Sequence, residues 1–397
     1  MKNCGLITNV DALVDLTTLN KYVQGKHALV TQGGGQKGVF TAGVLDSFLE
    51  ISADPFDAFY GTSAGALNIT SFLCRQKGYG KAFISELTTR PEFFRLFKHI
   101  RRKQRLDLDW AFEQLITPPY CLDIDAGRFA LGQRQAFAAV TNIENLHDEY
   151  LPIFSEYWAD ALKASCAIPA LYRHEIPIGN KCYVDGGVSA AIPAQEAWRN
   201  GARLITVIRT EPVDLDEKQI EEEETRTAIN TFLSNVGLDQ RIESFQTRLA
   251  ETAAGWRMNI DGFLKQRIAQ SKLIEKPITK PLLNGGRWLF GSGDVYRLCH
   301  LLGDQFDAGL MDMIMVHHQT FALTHNFMLK PPDDCFVLQI APKEPLRSSP
   351  LLSKAEDLEF DYQLGLEAGR NYMQQFCALT SKPDVLNFDA YCPIDSD

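Results

Sequence analysis

No hydrophobic stretch in the sequence reaches the ~18–20 residues that a helix needs to cross a bilayer, so no segment reads as membrane-spanning. Nor does the N-terminal stretch lead one to expect a secretory leader. Residues 1–22 mix Asp11, Asp15, threonines and asparagines with short apolar runs, and offer neither a basic start nor an apolar core of about 7–15 residues. Cysteine is scarce, with nine scattered through 397 residues and no Cys-x-x-Cys pair. That pattern excludes a disulfide framework and a thiolate zinc site, and it points to reduced thiols in the cytoplasm. Peripheral contact with a membrane stays open. Basic residues are in deficit, 40 Lys and Arg against 50 Asp and Glu, for a net charge of -10. A general nucleic-acid binder carries the opposite balance, so no nucleic-acid partner is expected. There is no internal repeat. The one biased tract, Glu221–Glu224, reads as a solvated helix face.

What remains is an ordinary globular composition, 45% hydrophobic and 23% charged. It rules out wholesale disorder and a coiled-coil rod. The length suits two or three domains, or one large domain with an attachment. Residues 27–210 alternate between strand and helix signals. His27–Gln32 is a short β-rich run that ends in glycines. Val39–Glu50 places Val39, Ala42, Leu45, Phe48 and Leu49 on one helical face. Strands are expected at 57–60, 137–141, 149–154 and 203–209, and helices at 64–76, 157–167 and 193–200. Gly179-Asn180 reads as a hairpin turn between 176–178 and 181–184. This alternation predicts a largely parallel sheet covered by helices. From residue 214 the character changes to long polar helical stretches, followed by one more strand at 335–341 and a closing amphipathic helix at 359–379.

Gly33-Gly34-Gly35-Gln36-Lys37-Gly38 lies between a strand and a helix. Such a loop exposes backbone N–H groups in front of a positive helix end, which suits an anion. Three readings compete: a dinucleotide fingerprint through Gly33, Gly35 and Gly38, a phosphate loop, and an oxyanion hole. Lys37 precedes Gly38 instead of following it, so the phosphate-loop order fails.

Gly61-Thr62-Ser63-Ala64-Gly65 has the G-x-S-x-G form of a nucleophile elbow, again between strand and helix. Glycine on both sides of the sharp turn avoids collision with the adjoining strand and helix. The two motifs are one β-α-β step apart, so adjacent parallel strands would bring them to the same edge of the sheet. A serine needs a base to take its proton. His147, His174, His300, His317, His318 and His325 lie downstream, but none sits in a glycine-rich turn at a strand end. Asp185-Gly186-Gly187 is the better candidate, because the run 181–184 delivers its carboxylate into a glycine turn.

These three motifs, in this order, resemble the patatin-like phospholipase family, and its bacterial branch most closely. The run Val39–Leu45 and Ala164-Ser-Cys-Ala-Ile-Pro169 fit the same pattern, and a weaker likeness extends through 357–369. Gln32 stands where many bacterial relatives carry an acidic residue. The resemblance implies a three-layer α/β fold with a mostly parallel central sheet and an additional helical C-terminal region. It divides the chain into an N-terminal extension (1–26), a catalytic domain (27–210), a helical insertion or subdomain (211–330) and a C-terminal strand and helix that complete the fold (331–397). It implies a Ser63–Asp185 dyad without histidine, with Ser63 as nucleophile and Asp185 as base. The N–H groups of Gly34 and Gly35, joined by Ala64, would form the oxyanion hole. The implied activity is release of fatty acid from a lipid or phospholipid ester through an acyl-enzyme, with no metal or organic cofactor. Lys37 reads either as steering an anionic head group or as a solvated structural residue.

Residues 90–105, RPEFFRLFKHIRRKQR, reverse the overall charge, with phenylalanines between the basic side chains. Such a segment can lie on anionic lipid; the plainer reading is a helix with its phenylalanines packed inward. Two other function classes compete with the hydrolase. A nucleotide-binding module would expect an acidic residue at the end of the second strand, where Gly61-Thr62-Ser63 stands instead. A catalytically silent lipid-binding protein would have no need of both Ser63 and Asp185.

Overall fold

The computed structural model describes residues 4–8, 21–93, 106–169, 171–172, 174–213 and 308–380. A compact unit comprises Met1–Asp214 and Leu302–Asp397; Leu215–Leu301 falls outside the described residues, as does most of the expected insertion.

Nine strands form one sheet: β1 (Cys4–Thr8), β2 (Lys26–Thr31), β3 (Ala58–Thr62), β4 (Gln135–Asn142), β5 (Asp148–Pro152), β6 (Ile176–Ile178), β7 (Lys181–Asp185), β8 (Ala202–Ile208) and β9 (Phe336–Pro342). Their order is β1-β9-β8-β2-β3-β4-β7-β6, with β5 also paired to β4. The centre, β9-β8-β2-β3-β4, is parallel throughout. Its strands are almost wholly buried, as expected where helices cover both faces. The margins are antiparallel, so the sheet is more mixed than the strand–helix alternation predicts. The reason lies in the connections. β4 to β5 and β6 to β7 are joined by short turns, and a short turn can only reverse the chain.

The expected elements fall close to their predicted places, with ends displaced by a few residues. The helix after the elbow stops at Leu73 and the one before Pro169 at Ser165. β1 lies in the stretch read as an N-terminal extension. It is five residues long and gains its pairing only from β9, some 330 residues away, so nothing local announces it.

Two helices pack closely beside the sheet. The loop helix, Gly38–Glu50, follows the glycine loop and is buried almost end to end. The closing helix, Ala355–Thr380, lies across it. Small residues form the seam: a methyl group at Gly43 would collide with the Tyr362 carbonyl, and one at Gly365 with the Phe40 carbonyl. Tyr362 also donates a 2.8 Å hydrogen bond to Asp46 on the loop helix, whose carboxyl is raised by burial. An aromatic cluster of Phe48, Phe56, Tyr372 and Phe376 continues the core beneath this crossing.

Candidate active site

β2 and β3 are parallel neighbours, and both motifs leave their C-terminal ends, the edge at which open α/β sheets bind ligands. Ser63 turns the chain between β3 and the elbow helix, Ala64–Leu73. It holds φ 52°, ψ −126°, a conformation that costs a non-glycine residue about 1–3 kcal/mol. The flanking glycines make the turn sterically feasible. A Cβ at Gly61 would stand 2.6 Å from the Ala66 Cα, and one at Gly65 2.7 Å from the Gln32 carbonyl oxygen. Gly61 thus admits the elbow helix, and Gly65 admits β2.

The glycine loop is brought to the elbow by the same means. A Cβ at Gly38 would stand 2.9 Å from that of Ala64, so the starts of the two helices nearly touch. Asn68 on the elbow helix donates a 2.8 Å hydrogen bond to the Gly38 carbonyl. Gly35 holds φ +56° and passes so close to Pro350 that any side chain would strike its carbonyl. That carbonyl accepts the Gln36 N–H at 2.9 Å, and the Gln36 side chain accepts the Ser353 N–H at 2.7 Å. The segment around Pro350 therefore braces the loop from outside. Among the described residues the N–H groups of Gly34, Gly35 and Ala64 donate to no protein acceptor.

Asp185 reaches the site by strand register. Thr62 at the end of β3 pairs with Ala139 on β4, so Ser63 stands level with Val140. On the other side of β4, Val140 pairs with Asp185. The two residues flank β4 at one height. The turn after Asp185 lies directly on β4, where a side chain at Gly186 would collide with the Ala139 carbonyl. Thr141 donates to the Asp185 carbonyl at 2.8 Å, and the Gly187 N–H donates to the carboxylate Oδ1 at 2.5 Å. The Ser63 hydroxyl lies near enough to this carboxylate to favour its ionised form. Both side chains are buried, Ser63 7% and Asp185 5% exposed. Burial is the dominant influence and pushes the Asp185 carboxyl up to about 6, against the opposing pull of Gly187, Ser63 and the charge of His317.

Ser63 opens onto a narrow pocket with a cavity volume of about 60 Å³. Gly35 and Ala64 line it beside Ser63. The remainder is overwhelmingly apolar, including Leu67, Phe83, Ile84, Phe93, Leu108 and Phe112. Asp185 lies behind the serine, outside the lining. Cys166 is also in the wall, and burial pushes its thiol up, away from the reactive thiolate.

The structure thus brings Gly33, Gly34, Gly35, Ser63, Ala64, Asp185, Gly186 and Gly187 together. Lys37 does not line the pocket; it forms a 3.5 Å ion pair with Glu211. Glu211 also accepts from the Gln32 side chain at 3.3 Å. In the basic run, Arg90 bonds the Glu86 carbonyl and Phe93 is buried in the pocket wall. Residues 94–105 lie outside the described residues. No helix among the described residues is long and apolar enough to cross a membrane.

Two contributors have roles that the sequence does not mark. Ser165 accepts the Ser63 N–H at 2.8 Å and donates to the Ala139 carbonyl at 2.7 Å, tying the elbow to β4. It sits inside the Ala164–Pro169 run, which gives no hint of that role. His317 bonds Gly187 from a helix 130 residues further along, and no motif marks it.

The family described as patatin-like phospholipase matches residues 29–198, and a domain of unknown function, DUF6363, matches residues 307–381. An uncharacterised protein of Escherichia coli K12, YjjU, is 30% identical over 357 residues, 90% of this chain and 79% of that one. The crystal structure of VipD from Legionella pneumophila is similar at a TM-score of 0.28 and 12% identity, over 53% of this chain and 55% of that one. The matched segment 29–198 holds the glycine loop, the elbow and the Asp-Gly-Gly turn together: this chain belongs to the patatin-like phospholipase family.

Proposed function

We propose that the protein is a serine acyl hydrolase acting on lipid esters, with Ser63 as nucleophile and Asp185 as its base. One observation carries the reading. Ser63 lines an apolar pocket, with the loop N–H groups on one side and a buried carboxylate behind it. An acyl chain fits that lining, and a charged or sugar-bearing ligand does not.

The steps follow from the geometry. Asp185 accepts the Ser63 proton as Oγ bonds the ester carbonyl carbon. The carbonyl oxygen becomes an oxyanion beside the N–H groups of Gly34 and Gly35, joined by Ala64 at the start of the elbow helix. Donors of this kind, fixed before the reaction, are typically worth about 3–4 kcal/mol of barrier each. The leaving alcohol takes the proton from Asp185 as its bond to the acyl carbon breaks. Water then gives a proton to Asp185 and attacks the acyl-enzyme, and collapse returns that proton to Ser63 and frees the fatty acid. A carboxyl near 6 suits this work, because it is ionised at neutral pH yet remains basic enough to take a proton.

The test is labelling with a serine-reactive fluorophosphonate, followed by hydrolysis of phospholipids, lysophospholipids and short esters. Label on Ser63, lost in Ser63→Ala together with turnover, is the expected result. A labelled but hydrolytically inert protein would favour the silent lipid binder. The cytoplasm remains the proposed location, on the scattered cysteines, of which Cys74, Cys121, Cys166, Cys182, Cys335 and Cys377 are free thiols.

For the basic run, contact with an anionic bilayer is proposed from sequence alone. Each basic residue near such a surface contributes about 1 kcal/mol. Replacing Arg101, Arg102 and Lys103 together by Gln should weaken sedimentation with phosphatidylserine vesicles at low salt and leave short-ester hydrolysis unchanged. Unaltered, salt-insensitive vesicle binding would remove the segment from the membrane reading.

A further inference from the structure

We propose that His317 is a positioning residue for Asp185, acting through the Gly187 carbonyl. The inference rests on the dyad proposed above and extends it to a residue from the C-terminal part of the chain.

His317 lies on the helix Ala308–Leu329, and its Nδ1 stands 2.5 Å from the Gly187 carbonyl oxygen. A carbonyl can only accept, so Nδ1 carries the proton and donates. Gly187 is therefore held from both ends. Its N–H donates to Asp185 Oδ1 and its carbonyl receives the imidazole. Glycine has the freedom to rotate both peptide groups away, and these two bonds remove it. With Oδ1 occupied by Gly187, the carboxylate is left one oriented oxygen for the serine. The Phe321 ring, one helical turn on, packs against the imidazole at a centroid distance of 5.9 Å and fixes its plane.

The contact is also electrostatic. His317 is close enough for its positive charge to favour the ionised form of Asp185. Among the described residues, the other titratable group facing this carboxyl is the Cys166 thiol, at the end of the helix Trp158–Ser165, and Ser63 faces it from the elbow. Burial holds that thiol protonated, so His317 is the cation that moves the acid limb of activity.

The two effects separate by substitution. In the full-length protein, His317→Asn keeps an N–H donor near the Nδ1 position without the charge. His317→Phe keeps the ring without the donor. For a soluble short-chain ester, H317F should lose roughly three- to tenfold in kcat, the equivalent of one neutral hydrogen bond, with KM unchanged. H317N should recover most of the plateau kcat, while its acid limb moves to higher pH because the cation is gone. An H317F enzyme with wild-type kcat would overturn the proposal. So would an H317N enzyme with a wild-type pH profile, or one that loses its plateau; this arm holds even if H317F folds poorly. Failure of the dyad itself is read separately, as absence of Ser63 labelling and turnover in the wild-type protein, and takes this inference with it.

Discussion

Asp185 must be ionised to act, and burial works against that. With its carboxyl near 6, turnover of a soluble ester should rise through pH 5 to 7 and level off above, as a kcat–pH profile will show. A plateau that extends below pH 5 would contradict the assignment. The same shift carries a stability consequence. A carboxyl raised in the folded state stabilises the fold fully below its unfolded value near 3.8, and that contribution is lost as pH rises through about 6. Asp185→Asn keeps the oxygen that accepts the Gly187 N–H and cannot ionise. It should cost about a thousandfold or more in kcat. Its melting temperature should exceed the wild type's at pH 8, by at most about 3 kcal/mol in stability, and converge with it near pH 4. A less stable variant at pH 8 would mean that the Asp185 charge contributes favourable contacts that outweigh its burial.

At the scale of elements, the site is built from close approaches of backbone. Gly61, Gly65 and Gly38 let β2, the elbow helix and the loop helix meet around Ser63, and Gly43 and Gly365 let the closing helix lie on the loop helix. The residues of this last crossing do not line the pocket. Gly365→Ala would press a methyl into the Phe40 carbonyl, a backbone atom that cannot swing aside. The helices must separate, at a cost of about 1–3 kcal/mol. A urea midpoint lowered accordingly, with the pH profile of residual activity unchanged, is the expected result; an unchanged midpoint would show a looser seam. These elements also mark how far the sequence could be read. The glycine loop, the elbow and the Asp-Gly-Gly turn were legible because each is a local strand-to-turn unit whose chemistry lies in a few consecutive residues. The central parallel strands were legible for the same reason, as short β-rich runs between helices. The antiparallel margins were less so, because the direction of a neighbour depends on which strand the chain returns to. The roles of Ser165, Pro350 and His317 were not legible. Each acts through one backbone contact with a distant segment, and a single serine, proline or histidine on an element leaves no periodic trace.

The whole molecule depends on its C-terminal part more than the match at 29–198 suggests. β9 lies between β8 and β1, so without it β8 becomes an exposed edge. The closing helix buries Leu358, Tyr362, Leu366, Tyr372, Met373 and Phe376. At about 1.5–3 kcal/mol for each large side chain, that burial is comparable with the whole stability of a typical domain, about 5–15 kcal/mol. Arg370 adds an ion pair to Glu50 on the loop helix, at 2.7 Å. The same region supplies Pro350 beneath the glycine loop and His317 beside the Asp-Gly-Gly turn, so both halves of the site lean on it. A chain ending at residue 213 retains every motif, yet it loses the cover of the loop helix and one neighbour of β8. It should be recovered as aggregate, or as a soluble species without a cooperative melt and without Ser63 labelling by fluorophosphonate. A fragment 1–213 that stays monomeric, melts cooperatively and labels at the wild-type rate would show that the catalytic turns hold their geometry unaided, and that the C-terminal part serves some other end.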